Sequence, residues 1–204
     1  MSIKLESLSA GTELKRVHAS AFGPTTFNPG FGWSRFSPVS DALHEVPTMY
    51  AAQSTQGALM ETAFHDVAHT PGPKSYDANN LNGLMLSTVR INTDLTLAKC
   101  YGPALRALGI TEGELVHSDA SQYDETREWS KAIHADPAKV DGLIWRSKQG
   151  DGHAFMLFGD RVQESDLGIV NSEILVESEE GVNAINELAD EMNLVLHKNP
   201  LFED

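Results

Sequence analysis

The chain has 204 residues, 41% of them hydrophobic and 22% charged, and its 15 Lys and Arg against 29 Asp and Glu leave a formal net charge of -14. That length and apolar share suit one globular domain with a real core, while the negative surface disfavours direct contact with nucleic acid or anionic lipid, and no basic run offsets it. Cys100 is the single cysteine, which excludes an intramolecular disulfide and a thiolate-rich metal cluster and suits a reducing cytoplasm; with no apolar segment long enough to cross a bilayer and no signal-like start, a soluble cytoplasmic protein is expected.

In chain order, residues 13–18 predict a short strand, and Gly23, Pro24, Asn28, Pro29, Gly30 and Gly32 then punctuate a long aromatic-rich loop. Residues 48–53 predict a strand, and Ser54 is placed to cap a helix over 55–69 that the Thr70-Pro71-Gly72-Pro73 breaker stops. Two apolar runs, 84–91 and 94–100, suit the strands of a hairpin around Asn92. A short helix follows near residues 102–109, and 123–136 predicts a longer one with Trp129, Ala132 and Ile133 on its apolar face. Residues 141–147 and 153–158 make a second strand pair, joined by a loop with Gly150 and Gly152. From about 161 the chain turns acidic, and beyond Glu177-Ser178-Glu179-Glu180-Gly181 a helix is expected with Ile185, Leu188, Ala189 and Met192 on one face. This segment, 161–204, is read as an extension packed on a domain spanning 1–160, and it suits a lid, an oligomerisation arm or plain packing; an oligomer is left open. The mixed order of strands and helices indicates α+β.

Several residues carry candidate chemistry. His65 and His69, at i and i+4, have a zinc-chelating spacing, but no third ligand stands in a recognisable motif, so two partly exposed histidines are the better reading and no metal is expected. Gly30-Phe31-Gly32 begins like a dinucleotide fingerprint but lacks the strand before it and the helix after it. Glu61 sits among Ala58, Leu59, Met60 and Phe64 with no cation at helical spacing. Burial would raise its pKa unless a distant Arg or a ligand hydroxyl met it, and a helix face turned to solvent is the plain alternative. Arg35, between Trp33 and Phe36, suits a phosphate while the aromatics cover a planar ring, or simple stacking on Trp33. Tyr50 suits stacking at a strand end or core packing with its hydroxyl at the rim, and Ser147 either bonds a ligand or ends a strand. No nucleophile elbow surrounds Ser147, which argues against a serine hydrolase.

Taken together, Arg35 in Gly32-Trp33-Ser34-Arg35-Phe36, Tyr50 in Tyr50-Ala51-Ala52, Glu61 on the following helix, Trp129, Asp141-Gly142 and Ser147 resemble, in order and context, the RES-domain family, over residues 13–160. The family commonly has Gly-Gly-Arg-Trp or Gly-Gly-Arg-Phe followed by Asn at the loop, and Tyr-Pro-Ser where this chain has Trp145-Arg146-Ser147. The resemblance implies an α+β fold with an ADP-ribosyltransferase-like mixed-sheet core and peripheral helices, NAD as substrate, and a toxin role beside an Xre-type helix-turn-helix antitoxin. It further implies Arg35, helped by Arg16, on the pyrophosphate, Tyr50 against the nicotinamide or its ribose, Glu61 on the ribose hydroxyls and the cationic sugar, and Ser147 at the nicotinamide end. Three functions follow from it: an NAD glycohydrolase or phosphorylase, an ADP-ribosyltransferase with a macromolecular target, and a non-catalytic nucleotide-binding or partner-binding module.

Overall fold

The computed structural model describes residues 2–40, 44–68, 70–115, 123–147 and 152–197. The elements run β1 (Leu5–Leu8), β2 (Glu13–Ala19), β3 (Val39–Ser40), β4 (Glu45–Val46), β5 (Thr48–Ala52), α1 (Thr55–Thr62), β6 (Lys74–Asp77), β7 (Leu84–Ile91) and β8 (Leu95–Lys99), then α2 (Pro103–Leu108), α3 (Glu112–Leu115), α4 (Tyr123–His134), β9 (Gly142–Arg146), β10 (His153–Phe158), β11 (Leu167–Ile174), α5 (Glu179–Glu191) and β12 (Leu194–His197). Eight strands form one mixed sheet in the order β1-β8-β9-β10-β5-β2-β7-β11. β8 and β9 are parallel and the other neighbours antiparallel. The fold is α+β, as expected.

Alternation along the central strands divides the interior into two cores. In β10, Ala154, Met156 and Phe158 face one side with Leu143 and Trp145 of β9, while Phe155 and Leu157 face the other with Ile144. The first side is covered by α1, the turn after it and α5 through Leu59, Phe64, Ile185 and Leu188, and the second closes over Leu14, Met49, Val89 and Ile91. At Gly142 a Cβ would lie 2.2 Å from the Met156 carbonyl oxygen, so β9 and β10 meet at a distance that only glycine permits.

β2 and β5 share one registered pair, Lys15 with Ala52. Past it, residues Arg16 to Ala19 of β2 and Tyr50 of β5 line a common cavity instead of pairing. This parting of two central strands is the feature of the fold that makes room for a site.

The structure corrects four expectations. α1 ends at Thr62 rather than 69: Phe64 turns into the core, fully buried and edge-on to Tyr76, whose hydroxyl donates to the Ala63 carbonyl at 3.0 Å. The runs 84–91 and 95–99 are strands but not a hairpin, because β7 has β2 on one edge and β11 on the other, leaving β8 to pair with β1 and β9. On α4 Ala132 is exposed; Ile133 is buried alongside Thr126, Arg127, Ser130 and His134, with Trp129 half-buried. His65 is not a helix residue: it lies beyond the end of α1 with Nδ1 on the Thr62 carbonyl at 2.9 Å, and His69 falls outside the described residues. Gly150 and Lys148 also lie outside them. Ser54 caps α1 as its position predicts, its Oγ accepting from the Gly57 amide at 3.1 Å.

Past residue 160 the chain supplies the sheet edge β11, the helix α5 with Ile185, Leu188 and Ala189 buried, and β12, which pairs in parallel with β6. No described helix is long and apolar enough to cross a membrane.

Candidate active site

Glu61 stands in the last turn of α1, its side chain 10% exposed, and three distant segments converge on it. Arg35 Nη1 lies 3.4 Å from Oε2, while Trp145 Nε1 and Ser147 Oγ donate to Oε1 at 3.3 and 3.4 Å. Alternation explains the last two: Trp145 of β9 and Ser147, one residue past its end where the Ser147 amide still bonds the Gly152 carbonyl at 3.1 Å, are two residues apart and reach the same face. All three contacts are at the long end of the hydrogen-bond range, so the carboxylate is surrounded but not saturated. The cation that the helix itself does not offer Glu61 therefore comes from the glycine-rich loop.

That loop is held in place by other members of the constellation. The Tyr50 hydroxyl bonds Ser34 Oγ at 2.9 Å and accepts from the Phe36 amide at 3.1 Å, and Ser34 Oγ is 2.6 Å from Ser37 Oγ. Burial pushes the Tyr50 phenol above its usual range, so it stays protonated and acts as a staple for residues 34–37. Thr126 Oγ1 at the start of α4 donates to the Arg35 carbonyl, and the Arg35 guanidinium lies 5.9 Å from the Tyr123 ring centroid. Arg16 is buried with Nη1 on the Pro24 carbonyl at 2.7 Å and Nη2 on Thr26 at 2.8 Å, and burial holds its pKa down to about 10, still charged at neutral pH. Arg16 thus anchors the opening of the loop while it also lines the cavity.

The cavity beside Glu61 and Arg35 has a volume of about 310 Å³, within the usual range for a small-molecule site. Arg16, His18, Trp33, Arg35, Tyr50 and Tyr123 line it, and among the described lining residues Glu61 is the one carboxylate. A wider hollow of about 750 Å³ at the start of α5 is walled by Glu173, Glu177, Glu179 and Glu180 and would repel an anionic ligand. In the first cavity, positive charge is gathered locally on a chain that is acidic overall.

Arg35, Tyr50 and Glu61 therefore line one cavity with Arg16 of β2, while Ser147 is not among its lining residues and joins them only through its hydrogen bond to Glu61. Sequence reasoning missed Trp145, Ser34 and Tyr123. For Trp145 a signal was present, because a residue two before Ser147 on one strand shares its face. Among the described residues no group of three or more His, Cys, Asp or Glu is placed to hold a metal.

The eight-stranded mixed sheet with few helices is an α+β fold consistent with the ADP-ribosyltransferase-like core that the resemblance implies. Within that class the chain belongs to the RES-domain family, whose pattern matches residues 13–173. The fold is also similar to a chain in the crystal structure of the M. tuberculosis MbcT-MbcA toxin-antitoxin complex, with a TM-score of 0.56 and 18% sequence identity over 82% of this chain and 85% of that one. Comparison with curated proteins finds no match.

Proposed function

We propose that this chain is a toxin that consumes NAD by cleaving the nicotinamide–ribose bond and that an antitoxin restrains it. The observation that carries this reading is the Glu61 carboxylate, nearly buried in a cavity with a basic and aromatic lining, with three donors around it that leave lone pairs for a substrate. In the reaction the C1′–N1 bond breaks, its electron pair goes to the nicotinamide nitrogen, and neutral nicotinamide leaves. The ribose becomes oxocarbenium-like, and a carboxylate fixed beside it in a dry site stabilises that charge more than water does. Water then bonds C1′ and loses a proton, giving ADP-ribose; inorganic phosphate in its place gives the 1″-phosphate. Glu61 is the electrostatic catalyst, and Ser147 orients it and the nicotinamide end. Arg35, which lines the cavity and whose Nε has no acceptor among the described residues, takes a pyrophosphate oxygen. Tyr50 and Arg16 act mainly through the loop they hold.

Family membership supports an NAD-related reaction, and the similarity to a chain from a toxin–antitoxin complex supports an antitoxin, which the family habit makes an Xre-type protein. A cytoplasmic location fits a substrate found there. The test is incubation of the purified chain with NAD, with and without phosphate, followed by chromatographic identification of products. Free nicotinamide in step with NAD loss is expected, and the partner product, ADP-ribose or its phosphate, identifies the acceptor. Unchanged NAD in both arms would sink the glycohydrolase and phosphorylase reading, leaving a transferase that needs its macromolecular target or a binding module.

A further inference from the structure

Trp33 is the most exposed large side chain at the cavity, at 76%, and Phe31 beside it is 70% exposed. Exposed aromatics on a loop are ordinarily mobile, yet this loop is tied down. Asn28 Oδ1 accepts from the Gly30 and Phe31 amides at 3.0 and 2.7 Å, its Nδ2 donates to the Phe31 carbonyl at 2.8 Å, and the Ser34 amide donates to the Ser37 carbonyl at 2.9 Å. Trp33 is also backed by a cation: the Arg127 guanidinium of α4 lies 4.2 Å from its ring centroid. Arg127 is itself buried, its Nη2 pairs with Asp124, and its Nη1 finds no acceptor among the described residues, so the indole face is a principal partner for the rest of that desolvated charge. A buried arginine thus fixes one face of an exposed tryptophan at the mouth of the site, leaving the other face for a ligand.

We infer that Trp33, held by Arg127, is the stacking platform for the neutral purine base of the substrate, a subsite for the end of the dinucleotide remote from the bond that breaks. The inference rests on the proposed NAD reading, and two observations set its polarity. Of the lining residues, Glu61 is 10% exposed and backed by donors from Trp145 and Ser147, whereas Trp33 is 76% exposed, so the scissile end is deep and the opposite end shallow. The nicotinamide ring of NAD is cationic and would be disfavoured against an indole already engaged by a guanidinium; adenine carries no such charge and stacks well on indole. Trp33 is a specificity-determining residue in this account, and Arg127 a positioning residue that acts through it.

The test measures binding of AMP and of nicotinamide mononucleotide, by calorimetry, to the wild-type chain and to Trp33→Ala, Trp33→Phe and Arg127→Met. Trp33→Ala removes an exposed side chain and should leave the fold intact. It is expected to weaken AMP by about tenfold, the scale of one lost base–aromatic stack, with the mononucleotide changed less than twofold. Trp33→Phe should recover most of the AMP affinity, and Arg127→Met should shift AMP in the same direction as Trp33→Ala. AMP affinity in Trp33→Ala within twofold of wild type, or equal losses for both nucleotides, would overturn the purine subsite alone. Failure of wild type to bind either nucleotide would overturn the NAD reading and the subsite with it.

Discussion

Glu61→Gln is expected to lower NAD turnover by two to three orders of magnitude with the fold retained. The amide keeps the shape and one carbonyl oxygen, so with that oxygen toward Trp145 and Ser147 both of their hydrogen bonds survive. It cannot offer negative charge to an oxocarbenium-like sugar, and loss of one preorganised electrostatic contact of this kind costs about 2.7–4 kcal/mol in the transition state. The NH2 group would face Arg35, donor against donor, which loosens the loop locally without unfolding a core that lies mostly elsewhere. Steady-state NAD loss, measured beside far-UV circular dichroism, separates the two effects. Turnover within a few-fold of wild type in a folded variant would remove Glu61 from the chemistry.

Arg35→Ala should be costly to stability as well as to substrate affinity. The two side chains are each about 10% exposed, so removing the guanidinium leaves a carboxylate in a poorly solvated place with two long neutral donors. Breaking a buried pair typically costs about 3–5 kcal/mol, and the donors that remain, with the residual solvent access, bring the expected loss down to about 2–3 kcal/mol. For a chain of this size that is a fall in Tm of roughly 5–10 °C. The loss should shrink in the Arg35→Ala, Glu61→Gln double variant, since the stranded charge is then absent. An unchanged Tm in Arg35→Ala would mean that the pair is not coupled in solution, and an unchanged NAD affinity would remove Arg35 from the pyrophosphate.

The strands were legible because the cores are built on alternation: residues 48–52, 84–91, 142–146 and 153–158 carry patterns that local sequence states directly. The end of α1 was not, because Phe64 leaves the helix to meet Tyr76, a contact set by tertiary packing. The partners of β7 and β8 were not either, since proximity in sequence favours a hairpin and only the occupied edges of β7 forbid it. At the site, Arg35, Tyr50, Glu61 and Ser147 could be gathered from their motif context, whereas Glu61's cation could not be found from helical spacing because it arrives from a loop. The Trp33–Arg127 contact joins that same loop to α4 and leaves no trace in local pattern. The loop contacts of Arg16 were hidden for a like reason, as its backbone acceptors at Pro24 and Thr26 become visible only once the loop is folded.

The most direct test of the central claim is expression of the wild-type chain and of Glu61→Gln, each without a partner, in bacterial cells with total NAD measured as growth is followed. The account predicts arrest with NAD depletion for wild type and normal growth with normal NAD for Glu61→Gln at equal protein level. Equal arrest by both chains, or full growth with undiminished NAD in cells carrying folded wild-type protein, would contradict it.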